Sequence, residues 1–336
     1  MSQFRFRVAG AAPSSSFLLA CLLCATPALA QLEGADLEAV RDSVRETFNP
    51  SRAGIFYAAS INFAVQPDIA TANFSIDGLE GQGANDPELV NSRIPVRLEL
   101  DLGRDDMKGF LQGTIGYQDL SVGFPFFSDG SDVVQIDWRS RGIDLGGGIE
   151  YAVNDYWTLM PSANVGVADL RNKADYGDSV LGSIFQPVFE GIIFDWETNA
   201  WIAGAALGAR YERQYDGFRV RSQLSASANH IRSFDESSDD ISIRDTASAL
   251  DIEVNTVHPI GQLAETPVEL VTILGATSLV GDARGELGFD EFFEFGLALQ
   301  FDISRFDFPI GDFRIGAIAI TGKDVSGWSL VIGRGI

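Results

Sequence analysis

"IEYAVNDYWTLMPSANVGVADL", residues 149–170, is the stretch that decides the fold class. From Trp157 onward its large apolar side chains recur at every second position. Trp157, Leu159, Pro161, Ala163, Val165 and Val167 share one face; Thr158, Met160, Ser162, Asn164, Gly166 and Ala168 share the other. A period of two marks a β-strand, because successive Cβ atoms point to opposite sides of a pleated backbone. Asn154 and Asp155 supply turn chemistry, and Tyr151, Tyr156 and Trp157 bunch around them. The stretch reads as a hairpin with a greasy face opposite a small, polar one.

The alternation extends along the chain. Ile55, Tyr57, Ala59, Ile61, Phe63 and Val65 share a face ahead of a Gln-Pro-Asp turn. Ile94, Val96, Leu98, Leu100 and Leu102 alternate with Arg97, Glu99 and Asp101, and Leu111, Gly113, Ile115 and Tyr117 with Gln112, Thr114 and Gln118. Trp201 to Tyr211, Phe218 to Ala228, Phe293 to Ile303 and Trp328 to Ile332 repeat the pattern. Such patterning is the signature of half-buried strands.

A water-soluble sandwich alternates too, and three features favour a membrane barrel. Connections alternate in length, short near 66–68, 103–107, 152–156, 213–217 and 304–311, and long and polar near 78–91, 121–134, 171–195 and 233–243. Bacterial outer-membrane barrels are built this way, with short turns on one side and long loops on the other. Aromatics flank the short turns: Tyr151, Tyr156 and Trp157; Tyr211, Tyr215 and Phe218; Phe301, Phe306 and Phe308. Trp201 and Tyr211 share a face ten residues apart, and a tilted strand crosses the hydrocarbon in about 9–11 residues. Finally, the opposite face carries Arg93, Arg97, Glu99 and Asp101 on one strand and Arg219, Arg221 and Gln223 on another. A dry core would need a partner for each of these charges, whereas a wet or ion-paired lumen accepts them.

Composition agrees. The chain has 336 residues, 46% of them hydrophobic, and a formal charge of −23, which excludes nucleic-acid binding as a function. Residues 1–30 read as a cleaved signal peptide, with Arg5 and Arg7, the apolar run "FLLACLLCATP" and "ALA" before Gln31. An alternative takes "LLAC" as a lipoprotein signal acylated at Cys21. Both cysteines, Cys21 and Cys24, fall in this leader. No later apolar run reaches the roughly eighteen residues of a membrane-spanning helix. Residues 31–52 form an N-terminal helical segment, with Leu37, Val40, Val44 and Phe48 on one stripe and Asp36 as a candidate cap. That helix either docks on the rest or lies in the pore. Residues 53–336 form one all-β unit, a transmembrane antiparallel β-barrel. Counting 55–65 and 69–76 separately gives an odd number of strands, and single-chain barrels have even ones. The expectation is twelve strands, with fourteen as the alternative.

With these residues in place, the chain resembles the autotransporter-type barrels of Gram-negative outer membranes, most nearly the solitary kind without a passenger. The resemblance rests on "LEAVRDSVRETF" ahead of the first strand, on "GFLQGTIGYQDL" and on "GIEYAVNDYWTLMPSANVGV". It implies about twelve strands with a helix threading the pore. Only some twenty residues separate the leader from the first strand, so export of a sizeable passenger is not expected. The ending "GWSLVIGRGI" departs from the Phe or Trp common at the end of such barrels. Expected partners are outer-membrane lipid and lipopolysaccharide and the barrel-assembly machinery, and the location is the outer membrane.

For function, the expectation is a structural or transport role; the alternative is a narrow porin, and an outer-membrane enzyme comes third. Arg93, Arg97, Glu99, Asp101, Arg210, Arg219 and Arg221 are candidate pore-lining residues that could set ion preference, or could fill the lumen with mutual salt bridges. Acidic loops at 126–132 and 233–240 offer oxygen ligands for divalent cations, with Asp235, Asp239 and Asp240 as candidates. Only His230 and His258 could serve as an acid or base, and both read as polar residues near strand ends. Neither GxSxG nor HExxH is present, nor a Gly-rich phosphate loop before a helix, and no cofactor or enzymatic activity is expected.

Overall fold

The computed structural model describes residues 35–47, 69–80, 85–125, 133–177, 180–237, 241–281, 284, 287–303 and 312–334. The elements in chain order are α1 (Ala35–Thr47), β1 (Ile69–Ser75), α2 (Asp77–Glu80), β2 (Asn85–Arg104), β3 (Met107–Pro125), β4 (Val133–Ala152) and β5 (Trp157–Asp175). There follow α3 (Val180–Phe189), β6 (Trp196–Tyr215), β7 (Phe218–Phe234), β8 (Arg244–Leu263), β9 (Thr266–Val280), β10 (Glu291–Asp302), β11 (Asp312–Gly322) and β12 (Ser326–Arg334). Each strand pairs antiparallel with its sequence neighbours, and β1 closes on β12. Twelve strands leave no open edge, the condition for crossing hydrocarbon without unsatisfied backbone groups. The expected strand at 55–65 lies outside the described residues; the barrel begins with the strand at Ile69.

The pairing register fixes the geometry. Followed from neighbour to neighbour, Trp157 leads through Tyr211, Ser222, Val254, Leu274, Phe295, Ala319, Trp328, Asn73, Val90, Asp119 and Arg139 to Arg171. One circuit therefore returns to β5 fourteen residues further on, from 157 to 171. With strands about 4.8 Å apart and about 3.3 Å per residue, that stagger gives a tilt of about 39° and a backbone radius of about 12 Å. Each step to the next strand climbs about 3 Å along the barrel axis.

The short connections β2–β3, β4–β5, β6–β7 and β8–β9 lie at one end. Asn154 Oδ1 accepts the N–H groups of Tyr156 (2.9 Å) and Trp157 (3.0 Å), the Asx turn its sequence suggested. Gly217 has φ 82° in the β6–β7 turn. The β8–β9 turn is built instead from Ala264 (φ 47°) and Glu265 (φ 67°), two side-chain-bearing residues in the left-handed region. At the other end β5 and β6 are joined through α3, and β11 and β12 by the brief 323–325 link. The segment expected as a polar loop at 78–91 is partly strand, since β2 starts at Asn85.

Alternate residues face lipid. On β5, Trp157, Leu159, Pro161, Ala163, Val165 and Val167 are all exposed, Val165 by 62%, while Met160, Gly166 and Ala168 are buried inside. On β6 the outward run Trp201 to Tyr211 spans about 25 Å along the axis, the height of an outer-membrane apolar band. Trp157 and Tyr211 (ring centroids 5.1 Å) and Tyr156 and Tyr211 (6.3 Å) form the inner aromatic girdle.

Candidate functional site

The candidate site is the barrel interior, which divides into two zones along its axis. The short-turn end carries an ionic belt. Glu150 on β4 receives Arg97 from β2 and Arg210 from β6, the latter through Nη2–Oε2 (2.8 Å) and Nη1–Oε1 (3.2 Å). Arg97 also stacks over Phe110, 3.8 Å from the ring centroid. Glu212 on β6 receives Arg221 at 2.8 and 3.1 Å and has Arg219 at 4.0 Å. Arg219 reaches Glu269 on β9 at 3.5 Å, and Gln300 on β10 donates to Glu269 at 2.9 Å. Further along the axis, Asn164 Nδ2 donates to Asp144 (2.6 Å) and Asn229 (3.2 Å), and Thr277 donates to Asp251 (2.9 Å). Arg93 is buried there, with Glu294, Glu253 and Asp251 as its charged neighbours.

Past this level the inward face turns apolar. Phe74, Leu89, Leu120, Ile136, Leu170, Ala200, Ile231, Ile243, Leu279 and Phe292 are buried in one cluster at the long-loop end, capped by Trp196. Trp196 packs edge-on to Trp138 (5.9 Å) and donates Nε1–H to the Ile193 carbonyl (3.1 Å). The wet or ion-paired lumen expected from the charged strand faces is thus found toward the short-turn end. The ionic pairs lie in the short-turn half, whereas the loop end is mostly apolar with a few uncharged polar residues, Ser140, Asn172, Thr198 and Ser233, buried among them.

Helix α1 joins the long-loop end. Its stripe of Leu37, Val40 and Val44 packs on Val188, Phe189, Ile192 and Ile193, and Arg41 donates to the carbonyls of Pro187 (2.6 Å) and Glu190 (3.1 Å). These are residues of α3 and the segment after it, so the helix docks on the β5–β6 connection. Asp36 falls within the first turn of the helix rather than ahead of it, and Phe48 lies outside the described residues.

The structure therefore brings four of the proposed lining residues, Arg97, Arg210, Arg219 and Arg221, into the belt. Arg93 lies deeper among carboxylates. Glu99 and Asp101 lie at the turn rim, Glu99 4.0 Å from Lys108 and Asp101 accepting the Gly103 N–H at 2.7 Å. Sequence reasoning missed the carboxylates that organise these arginines, Glu150, Glu212 and Glu269. Their signal was strand parity, since each occupies an inward position of its strand. Of the candidate metal ligands, Asp235 is exposed with φ 56° and lies 3.4 Å from Asn199, while Asp239 and Asp240 lie outside the described residues. Among the described residues, no three His, Cys, Asp or Glu side chains gather as a metal site would require. His230 faces outward and contacts Thr246 Oγ1 (3.0 Å); His258 stacks on Phe218 (5.3 Å) at the girdle. Among the described residues neither is hydrogen-bonded to a serine; Ser233 instead donates to Glu236 (2.7 Å) and accepts the Ile243 N–H (2.8 Å).

A family model described as the solitary outer membrane autotransporter beta-barrel domain matches residues 84–333. Among solved structures, the transport unit of the autotransporter AIDA-I from Escherichia coli is 9% identical, with TM-score 0.52, over 86% of this chain and 100% of that one. The β domain of the Bordetella autotransporter BrkA is 14% identical, with TM-score 0.50, over 80% of this chain and 98% of that one. At such identities the likeness concerns the fold. No curated protein sequence matches.

Proposed function

The chain belongs to the solitary outer-membrane autotransporter β-barrel family, and from this membership we propose that it is a non-enzymatic translocation unit that lodges its own N-terminal segment on the outer face of the membrane. One observation carries the reading. Helix α1 docks on α3 at the long-loop end, whereas β1 begins at Ile69, about mid-height of the wall beside Ile332 and next to the Ala70–Arg93 pair, and runs toward that same end. Thr47 thus belongs to the long-loop end, while Ile69 lies within the height of the apolar band, and the chain between them leads from the outer end into the barrel wall. The apolar cluster that closes the loop end fits a barrel at rest rather than an open pore. Both histidines face away from the lumen, which supports a reading without catalysis. Residues 1–30 are read as the export leader, and N-terminal sequencing of the mature barrel should begin at Gln31.

The test uses single cysteines in a chain whose native ones, Cys21 and Cys24, lie in the leader. On intact cells, a membrane-impermeant maleimide should label Glu38→Cys and spare Asp216→Cys in the β6–β7 turn; labelling of Glu38→Cys only after lysis would overturn the proposal. The ionic belt supports a second reading, a narrow channel. In planar bilayers Arg219→Glu should then change ion preference, and absence of any conductance, with or without residues 31–50, removes this reading.

A further inference from the structure

We propose that Arg232 and Arg244, on the outer wall of the barrel, bind the phosphate groups of lipopolysaccharide in the outer leaflet directly. The inference rests on the outer-membrane placement of the barrel with its long loops outward. The two residues are Cα partners on β7 and β8, both exposed on the lipid-facing side. Like charges directly opposite one another on a sheet destabilise it unless something neutralises them. Elsewhere on this wall the protein supplies the counter-charge itself: Arg139 has Asp119 at 2.9 Å and Asp137 at 3.4 Å, and Arg171 has Asp169 at 2.8 Å and Glu197 at 3.6 Å. Arg232 and Arg244 have no ion-pair partner among the described residues, in a chain of formal charge −23.

Their height is that of a headgroup. Arg232 pairs across from Trp201, the last residue of the apolar run on β6, and Trp201 stacks on Phe234 at 5.3 Å. With each strand about 3 Å higher than the last, Arg232 and Arg244 stand about 3 and 6 Å above the tryptophan that marks the edge of the hydrocarbon. Below them on the same wall runs a groove of about 270 Å³, lined by Leu224, Leu250, Ile252, Ala276 and Phe293. On β8, Arg244 leads down to it through the small outward residues Thr246 and Ser248. Two arginines above an apolar groove match an amphiphile with anionic phosphates at one end and acyl chains at the other.

The experiment reconstitutes the full barrel into phosphatidylcholine vesicles containing bis-phosphorylated lipid A, re-extracts it in mild detergent, and counts co-purifying lipid A by mass spectrometry. Native protein should retain lipid A in preference to its fully dephosphorylated form. Arg232→Gln/Arg244→Gln should retain at least tenfold less, and Arg232→Lys/Arg244→Lys should keep most of it. The gel shift between unboiled and boiled samples certifies folding, and the single Gln variants give the same reading at smaller amplitude. Equal retention by native and Gln variants would overturn the proposal. So would retention that EDTA abolishes while the Gln variants leave it unchanged, because divalent ions on the acidic loops would then be the bridge. A lipid-independent dimer that the Gln variants dissociate would also overturn it, by assigning the pair to a second copy.

Discussion

The two ends of the barrel interior are built on one strand parity yet live in different solvents. At the long-loop end the inward positions are mostly Leu, Ile, Val, Phe and Trp, packed against one another as in a soluble core, with Ser140, Asn172 and Thr198 among them. At the short-turn end they are Arg, Glu and Gln, held in pairs across as many as three strands. The outer wall makes no such distinction until the apolar band ends. Cohesion at the loop end therefore comes from burial, roughly 25 cal/mol for each Å² of apolar surface removed from water, and at the turn end from ion pairs whose strength depends on how much water reaches them. A barrel so divided is held by packing in its apolar half and remains adjustable in its wet half.

The sharpest way to break this division is to put a charge in the dry half. Leu170 is fully buried on the inner wall between its cross-strand partners Ser140 and Thr198. Leu170→Asp loses its packing and buries a carboxylate without a partner, at a cost of about 4–5 kcal/mol. Urea titration of the unboiled gel band should register it as loss of the folded species. If the variant folds normally, the loop end is wet and the division fails. The next largest effect contrasts inside with outside. Leu207, 59% exposed, lies near mid-height of the apolar band on β6. Leu207→Arg should cost about 2–4 kcal/mol, while Asn164→Lys, beside Asp144 at 2.6 Å, should be tolerated.

How much of this was legible depended on local chemistry. The outer wall was readable because lipid imposes one rule on every second residue, and the β4–β5 hairpin because Asn154 declares its turn. The β8–β9 hairpin was not, since Ala264 and Glu265 carry none of the Gly, Asn or Asp signals that usually accompany positive φ. The apolar half of the lumen was hidden for a different reason. Around Leu170 and Ile231 the alternation reverses, with Asp169, Arg171, His230 and Arg232 on the outer face and the apolar side chains inside, so a rule that assigns the greasy face to lipid names the wrong side. The belt was half-visible. Its arginines stood out against the aliphatic rows, but which carboxylate each would meet depends on register across several strands.

Within the wet half, Glu150 offers a finer test. It holds both Arg97 and Arg210, so Glu150→Gln leaves two guanidinium groups facing each other across the lumen. Water at the turn end softens the penalty to about 1–3 kcal/mol, below the 3–5 kcal/mol typical of a fully buried pair. Adding Arg210→Met should recover part of the loss, measured as a double-mutant cycle in urea. A cost as large as that of Leu170→Asp would mean that the belt is dry, and the two ends would no longer differ.

The smallest effect belongs to the wettest place, the β2–β3 turn. Asp106 accepts Arg104 Nε at 2.9 Å and Nη2 at 2.7 Å, and this hydrogen bonding holds its carboxyl below the ordinary aspartate range. A carboxyl depressed in the folded state lends stability above its unfolded pKa of about 3.9, and that stability fades as pH falls through the lower folded value. Both partners are largely in solvent, so salt should weaken the pair further. A carbon-detected NMR titration of labelled protein should place Asp106 below free aspartate, and Arg104→Gln should return it toward the ordinary value. The global unfolding midpoint should hardly move, because this turn hangs outside both the packed core and the belt. If Arg104→Gln lowered that midpoint as much as Glu150→Gln, the turn would belong to the cooperative belt, and the boundary between adjustable and freely solvated charge would lie further from the lumen than the register places it.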